Sequence, residues 1–268
     1  IKNAFQNLNV GIIDHVQIFA PFSYVGLNDT KWDFAVIEGY TGSFPTFIRR
    51  LQSINSNVLI IHYCLDTYPT LKHILNLDVN GFFTNSKVLL PKLNKLAPTQ
   101  YIPLAADPNV MRPIKKSTKY NHTVVYLGHN SLTKPTLHRM LREALDYGLV
   151  IYGHNWFNAP DDLKSRWRGV LPLNDVAELY SSAKIVIGTT EGKQQKLGMI
   201  NNRVYETMSC GSVLISDTFD ILEDFAINTE KNEKNNISSN SSSLIYFDRN
   251  PGDTVKILHR LLNTEEGR

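Results

Sequence analysis

The segment from Gly198 to Asp217 contains the residues with the clearest potential for chemistry. Arg203 and Glu206 stand three positions apart, so on a helix their side chains lie on the same face. A guanidinium can give a phosphate two parallel hydrogen bonds, and it keeps its charge at any working pH. An ionised carboxylate only accepts hydrogen bonds, which suits it to a sugar diol. The pair therefore favours a site for a molecule that carries both phosphate and sugar.

Further polar residues could complete an anion site. Asn202 lies beside Arg203 at the predicted start of this helix, where free backbone N–H groups and the helix dipole favour anions. Lys134 and Arg139, on an earlier predicted helix, are additional phosphate candidates, with solvated helix charges as the alternative for each. The simpler alternative for Arg203 is a surface ion pair with Glu206, which would stabilise the helix only slightly.

His62 and Asp66 are the candidate catalytic residues. They follow a predicted central strand over 58–61, at its carboxyl end, where parallel sheets place their ligands. His129 and His154 each follow a glycine that ends a predicted strand. For all three histidines, the alternative is a structural imidazole with satisfied hydrogen bonds.

Composition excludes several classes of protein. The chain has 268 residues and a net charge of +3, far from the concentrated basic stripe of a nucleic-acid-binding protein. Its two cysteines lie in or beside apolar runs and predict buried thiols, with neither a disulfide framework nor a zinc-ligand spacing. The sequence shows neither a membrane-spanning apolar run nor a signal-peptide pattern, so we expect a cytoplasmic protein without a membrane span.

Short apolar runs alternate with helical patterns along the chain, which predicts parallel sheets covered by helices. Predicted strands cover 33–37, 58–61, 81–84, 101–104, 123–127, 149–152, 184–187, 213–216 and 244–247. Residues 107–120 contain two prolines and a basic run, and we interpret them as a linker between domains 1–112 and 113–268. Two such Rossmann-like domains would face each other across a cleft. The Asn- and Ser-rich stretch 228–243 predicts a surface insertion.

Several motifs in sequence order resemble the spore-maturation (CgeB-like) group of GT-B glycosyltransferases. Asn202-Arg203-Val-Tyr-Glu206 followed by Cys210-Gly211 is similar to the family's nucleotide-sugar motif. Upstream, the run 125–128 ending in Gly128 and followed by Arg139, and the segments 149–156, 169–183 and 101–108, match further parts of its pattern.

The resemblance implies a GT-B fold with a nucleotide-diphosphate-sugar donor in the second domain. Glu206 would hold the ribose and Arg203 the diphosphate, with Asn202, Gly128, Arg139, Lys134 and Gly211 completing the donor site. His62 or Asp66 would contact the sugar or the acceptor, which is an unidentified glycan, protein or small molecule.

The resemblance also implies a metal-independent transferase without a cofactor, since the chain lacks the Asp-x-Asp motif of GT-A enzymes. By the same resemblance we expect retention at the anomeric carbon. The first half is short for a complete GT-B acceptor domain, which indicates a truncated first domain. Many retaining relatives carry a second Glu where this chain has Gly198. That departure and the short first domain support an alternative, a non-catalytic nucleotide-sugar-binding module or partner subunit, and a nucleotide-sugar epimerase on the same fold is a third possibility.

Overall fold

Strands and helices alternate along the chain in two compact units. The computed structural model describes residues 31–38, 44–64, 77–226 and 245–263. The first unit comprises the described residues up to Thr84 together with Leu89–Tyr101. The second comprises Asn85–Val88 and the described residues from Ile102 onward. No helix in the described ranges is both long and apolar enough to cross a bilayer.

The first unit is built on a four-stranded parallel sheet in the order β1-β2-β3-β4. Its elements are β1 (Phe34–Glu38), α1 (Phe44–Ile54), β2 (Leu59–Cys64), β3 (Gly81–Thr84), α2 (Leu90–Leu93) and β4 (Thr99–Tyr101). Phe44, Ile48 and Leu51 recur at helical spacing on α1 and are buried. They pack with Ile37 and Ile60 from the sheet, which gives this unit its own core.

The second unit has a five-stranded parallel sheet in the order β6-β5-β7-β8-β9. The strands are β5 (Val124–Leu127), β6 (Leu149–Tyr152), β7 (Ile185–Gly188), β8 (Val213–Asp217) and β9 (Ile245–Asp248). The helices are α3 (Leu137–Glu143), α4 (Asp161–Lys164), α5 (Val176–Ser182), α6 (Gly192–Lys196), α7 (Asn202–Ser209) and α8 (Asp253–Asn263), and residues 220–226 are also helical. Short 3-10 turns cover Leu145–Tyr147, Trp156–Asn158 and Leu173–Asp175.

Both faces of this second sheet are covered. Alternate residues of one strand point to opposite faces, and here they enter two different clusters. Val125 and Val186 belong to one buried cluster, whereas Val124, Tyr126 and Ile185 belong to the other. This burial on both faces explains why the central strands are continuous apolar runs in the sequence.

Most predicted strands are found within a residue or two of their expected bounds, but two predictions in the first half were wrong. The strand expected over 101–104 is instead Thr99–Tyr101. The spacing of Val88, Leu89, Leu93 and Leu96 predicts a helix after the strand at 81–84, but the structure has only the four-residue α2, which contains Pro91. Asn85–Val88 belong to the second unit, in which the Ser86 hydroxyl donates to the carbonyl of Leu197. The insertion expected at 228–243 lies outside the described residues.

The expected linker is bound along α5. The backbone N–H of Ile114 donates to Ser181 Oγ at 3.2 Å, and that of Ser117 donates to Ser182 Oγ at 2.8 Å. Tyr120, near the end of the linker, is buried in the core of the second unit. The domain boundary between residues 112 and 113 stays a prediction.

Candidate functional site

The site is defined by the point where the strand order of the second sheet changes direction. From β5 the chain passes to β6 on one side, and later to β7 on the other side of β5. In open α/β sheets such a switch point leaves a crevice beyond the carboxyl ends of the two strands, where ligands bind. Gly128 directly follows β5, and Thr189 directly follows β7.

Arg203 lies over the end of β5. Helix α7 begins at Asn202, after Asn201 in an extended conformation, and so presents Arg203 in its first turn. The Arg203 Nη2 donates to the carbonyl of Leu127, the last residue of β5. Its guanidinium carbon lies 5.3 Å from the centroid of the Tyr126 ring, within cation–π range. The N-terminus of α7 and the Arg203 guanidinium therefore both lie at the switch point.

Gly128 leaves the space that Arg203 occupies. A Cβ at this position would lie 2.7 Å from Tyr126 Oη and 2.8 Å from Arg203 Nη2. Both distances are shorter than any real Cβ contact, so a larger residue would displace one of these groups. The glycine that the sequence places after β5 thus lets the Tyr126 hydroxyl and the Arg203 guanidinium both approach the backbone at this position.

The charge of Arg203 is held by its surroundings. Burial by itself lowers the pKa of Arg203, but interactions with Tyr180, Tyr126 and Glu206 outweigh burial and keep that pKa above its ordinary value. Burial also raises the pKa of the Tyr180 phenol to about 12. The guanidinium is consequently a permanent cation on a partly buried side chain of the second unit.

Lys134 brings a second cation to the same aromatic ring. Its Nζ donates to Tyr126 Oη at 3.1 Å and lies 5.8 Å from the ring centroid. Within the described part of the chain, no carboxylate lies within 4 Å of the charged nitrogens of Lys134 or Arg203. Two cations that lack ion-pair partners make the end of β5 electropositive, as an anion site requires.

Glu206 follows one turn after Arg203 and is half-buried. Burial raises the pKa of its carboxyl group, and the Arg203 charge opposes that rise. No group of the described residues donates a hydrogen bond to this carboxylate. Such a carboxylate is available to accept hydrogen bonds from a ligand, and a ribose diol offers two hydroxyl donors.

Asp217, which the sequence analysis did not single out, fixes the loop beside the site. Its carboxylate is buried at the end of β8 and accepts from Thr190 N at 2.9 Å, Gln195 Nε2 at 2.9 Å and Thr136 Oγ1 at 3.0 Å. Burial raises the pKa of Asp217, and these hydrogen bonds oppose the rise. An acidic residue that ends an apolar strand was the only signal in the sequence for this role.

Aromatic side chains support the site from below. Trp156 is fully buried, and its indole N–H donates to the carbonyl of Gly128 at 2.8 Å. Its ring packs edge-on against Tyr126, with 5.7 Å between centroids. Beyond them, His129 and His154 stack on each other at 5.2 Å, both exposed. Sequence reasoning noted the two histidines but missed Tyr126 and Trp156.

Arg139 is engaged elsewhere in the same unit. Its Nη1 donates to Glu143 Oε1 at 3.0 Å and to Asp248 Oδ2 at 3.1 Å, and its Nη2 bonds the other Asp248 oxygen. Two carboxylates therefore already balance its charge. We leave Arg139 out of the donor site that we propose.

Gly211 and Asn202 lie at opposite ends of α7. Gly211 has a φ of +71° and donates its N–H to Met208 O, so it forms the turn that ends the helix. That end lies about 12 Å from the helix start, at 1.5 Å per residue. Asn202 is exposed at the first helical position, beside Arg203.

Of the two candidate catalytic residues, the structure describes only His62, which belongs to the first unit. His62 was expected after a strand, but β2 extends to Cys64 and includes it. The imidazole is fully buried, edge-on to Phe44 and Phe82, with its Nδ1 3.2 Å from Cys64 Sγ. That expected position was wrong, because Tyr63 and Cys64 continue the strand. Asp66 lies outside the described residues.

Gly198 stands where many retaining relatives have a second Glu. Its φ is +62°, and a Cβ there would lie 2.8 Å from Ile221 Cγ1. The backbone at this position favours glycine. An acidic side chain would require both a strained backbone and displacement of Ile221.

Comparisons with known proteins place this geometry in a family. A family model described as glycosyl transferase-like matches residues 134–268, half of the chain. No curated protein matches the sequence. Among solved structures, one titled as trehalose-6-phosphate from E. coli bound with UDP-2-fluoro glucose superposes with a TM-score of 0.52 at 12% identity. It is matched over 88% of this chain and 66% of its own.

Two further structures show the same fold. TarM superposes with a TM-score of 0.54 at 13% identity, over 88% of this chain and 49% of its own. An α,α-trehalose-phosphate synthase (UDP-forming) from Burkholderia vietnamiensis superposes with a TM-score of 0.50 at 9% identity, over 83% of this chain and 62% of its own. The chain thus spans about half to two thirds of the length of the structures it matches.

These comparisons confirm the predicted fold class. The chain has two α/β units with parallel sheets, and the structures that it matches over most of its length are GT-B glycosyltransferases. The narrower likeness to the spore-maturation group stays a prediction. With the family model covering the α3–α8 region that carries Arg203 and Glu206, the chain belongs to the glycosyl transferase-like family.

Proposed function

We propose that the protein is a glycosyltransferase that takes a sugar from a nucleotide-diphosphate-sugar donor bound at the switch point of the second sheet. One observation carries the proposal. Arg203 lies over the end of β5, and Glu206 follows one turn later as a half-buried carboxylate without a donor among the described residues. A cation for phosphate and an acceptor for a diol at this spacing suit a nucleoside diphosphate.

The donor half of the reaction follows from the charges at this site. As the bond to the sugar breaks, negative charge grows on the departing diphosphate. Arg203, Lys134 and the free N–H groups at the start of α7 would stabilise that charge, and they need no reorganisation to do so. We propose on this ground that transfer is metal-independent and needs no cofactor. Retention at the anomeric carbon is a further proposal that rests on the family resemblance, and a cytoplasmic location is a further proposal that rests on the sequence pattern alone.

Two of the matched structures suggest which nucleotide to test first. One of them contains UDP-2-fluoro glucose, and another is a UDP-forming synthase. At identities of 9–12% these matches support the fold alone. A uridine nucleotide is therefore the first ligand to test, and the acceptor is a glycan, protein or small molecule still to be found.

A ligand screen tests the proposal. We expect thermal shifts with UDP, GDP or ADP, or with UDP-glucose, GDP-mannose or ADP-glucose, and we expect them to persist in EDTA. Incubation with the nucleotide sugar that binds best should then release nucleoside diphosphate, slowly to water and faster with a suitable acceptor. If none of the six ligands shifts the melting temperature, the donor site is wrong.

A non-catalytic nucleotide-sugar-binding module is the second candidate function. The observation that favours it is Gly198, where the backbone and Ile221 leave no room for the acidic side chain of many retaining relatives. Such a module would bind the nucleotide sugar and leave it intact in every acceptor assay. Release of an epimerised nucleotide sugar would instead identify an epimerase.

A further inference from the structure

The end of the linker is fixed to the 3-10 turn that precedes α5. Tyr120 Oη donates to Asp175 Oδ2 at 2.6 Å, and Lys119 Nζ donates to the same oxygen at 3.0 Å. Asp175 is the last residue of that turn. Further back, the backbone N–H groups of Ile114 and Ser117 are bonded to the end of α5. A backbone held at this many points presents its outward side chains to a partner with little further loss of conformational freedom.

Residues 166–173 lie beside the linker in the second unit. They lead into the 3-10 turn to which Lys119 is bonded. Burial raises the pKa of Tyr152, and the charges of Arg168 and Lys119 both oppose that rise, so the two cations lie near the same phenol. Residues 110–119 and 166–173 therefore form a common face, which we call the linker surface.

The linker surface is strongly basic, although the charges of the whole chain are nearly balanced. Its two segments contain six basic residues and no acidic residue, whereas the chain has 28 basic and 25 acidic residues. The six are Arg112, Lys115, Lys116, Lys119, Arg166 and Arg168. Within the described ranges, none of them except Lys119 forms an ion pair. Unpaired charges of one sign on one face favour a partner of the opposite charge.

Four large apolar side chains are exposed among these cations. Leu173 is 77% exposed, Val110 and Val170 are each more than half exposed, and Ile114 is 38% exposed. Single exposed apolar residues are ordinary, but a group of them on one face marks an interaction surface. A membrane with anionic headgroups matches both kinds of side chain. Its headgroups attract the cations, and the boundary of its acyl chains takes up the apolar groups.

We propose that the linker surface docks the protein on an anionic lipid membrane as a peripheral contact. This inference goes beyond the proposed function and does not depend on it. An acidic polysaccharide or a nucleic acid would neutralise the cations but would leave the four apolar side chains in water. Trp167 is the only aromatic residue of the linker surface, whereas surfaces that bind single-stranded nucleic acid stack successive bases on several rings.

Vesicle flotation tests the docking. At low salt the parent should bind vesicles of equimolar phosphatidylglycerol and phosphatidylcholine, and it should not bind vesicles of phosphatidylcholine alone. The double substitution Lys115→Ala and Lys116→Ala should weaken binding about twentyfold, because each cation near an anionic surface contributes roughly fivefold. Lys92→Ala with Lys95→Ala is the matched control, since both are exposed lysines of the first unit, and it should bind as the parent does.

Ile114→Ser separates a membrane from an acidic polymer. It should weaken vesicle binding about fivefold, the scale of partial burial of one apolar side chain, and leave binding to the soluble polyanion heparin unchanged. Val255→Ser is its control, because Val255 is 37% exposed and lies on α8, outside the linker surface. Leu173→Ser, at a more exposed position, should repeat the loss if the melting temperature of Ile114→Ser falls.

Three results would overturn the proposal. The parent could fail to bind the anionic vesicles at low salt. The two lysine double variants could lose affinity equally, which would mean that only net charge matters. Serine at position 114 and at position 173 could leave vesicle binding at the parent value, in which case the partner is an acidic polymer and membrane docking is wrong.

Discussion

Arg203 and Glu206 differ in how their charges are compensated. Arg203 is partly buried and interacts with Tyr126, Tyr180 and the carbonyl of Leu127, which stabilise its charge. Glu206 has no comparable support, and only the Arg203 charge offsets the effect of burial on its pKa. Ligand binding should therefore depend on the two residues in different ways.

Replacing Arg203 should weaken nucleotide binding directly. We expect Arg203→Ala to reduce the affinity for a nucleoside diphosphate by about 1.5–3 kcal/mol, the range for a charge-assisted hydrogen bond. Calorimetry in EDTA measures this loss. Arg142→Ala is the control, since Arg142 is an exposed arginine paired with Asp162, and it should leave the affinity unchanged. Equal affinity in Arg203→Ala and the parent would remove Arg203 from the site.

Glu206 should make nucleotide binding depend on pH. Only the ionised carboxylate accepts from both ribose hydroxyls, and burial raises its pKa above the ordinary value. The affinity of the parent should be constant well above this raised pKa and fall as pH drops through it. Glu206→Gln does not titrate, so the parent-to-variant affinity ratio isolates this effect from phosphate protonation. A ratio that does not change with pH would contradict the assignment.

A 2′,3′-dideoxynucleotide tests the same contact from the ligand side. The parent should discriminate against it, because the half-buried Glu206 carboxylate then lacks the ribose hydroxyls as partners, at a cost of about 1–3 kcal/mol. Glu206→Ala should discriminate much less. If the two changes simply add in a double-mutant cycle, Glu206 does not touch the ribose.

Part of the residue-scale picture is visible in the sequence and part is not. Arg203 and Glu206 are close in the sequence, so their spacing on one helix can be recognised from the sequence alone. The Asp217 contact with Thr190 joins positions far apart in the chain, and only the parallel pairing of β7 with β8 brings them together. The position of His62 was predicted wrongly for a local reason. Apolar periodicity does not reveal at which residue a strand ends.

At the scale of elements, the ends of β5 and β7 and the start of α7 fix the site together. The pattern of central strands was predictable, because burial on both faces demands continuous apolar runs. The short length of α2 was not predictable from the sequence. Leucines at helical spacing predict a longer helix, but they also suit a single turn that buries two of them, Leu89 and Leu93. Pro91 lies in the first turn of α2, where proline is tolerated in a long helix as well as in a short one, so it did not distinguish the two.

Gly128→Ala tests the close approach of β5 and α7. The new methyl group would meet Tyr126 Oη and Arg203 Nη2, both closer than 3.0 Å. We expect a stability loss of about 1–3 kcal/mol from overpacking and weaker nucleoside-diphosphate binding, as the guanidinium shifts. Gly192→Ala is the stability control, since its new Cβ would have only ordinary contacts of 3.7 Å or more. Wild-type denaturant midpoint and affinity in Gly128→Ala would contradict the structure at this point.

Arg139→Met tests whether Arg139 stabilises the fold or binds the ligand. Arg139 joins α3 to the buried Asp248 at the end of β9, and removing one partner of a buried pair costs about 3–5 kcal/mol. Urea unfolding should show that loss, whereas the affinity of the folded protein for nucleoside diphosphate should stay at the parent value. A selective loss of affinity would instead restore Arg139 to the donor site.

At the scale of the whole molecule, the two units have separate cores. One is formed around α1 and the first sheet, and the others cover the two faces of the second sheet. A ligand stabilises the part that binds it, by about 2.7 kcal/mol when its concentration is a hundred times Kd. Nucleoside diphosphate should therefore slow amide exchange in β5, β7 and α7 and leave β1 and β2 unchanged. Equal protection in both units would mean that they unfold as one.

The indole of Trp156 gives the site an optical signal of its own. It is buried, it packs against Tyr126, and its N–H is bonded to the carbonyl of Gly128, directly beneath the proposed diphosphate position. Emission from an indole responds to nearby charge and to the strength of its N–H hydrogen bond. A phosphate that displaces Arg203 or Gly128 even slightly should thus change the intrinsic fluorescence, and Trp156→Phe should abolish that change. Occupancy of the site could then be followed by titration and stopped flow without any label.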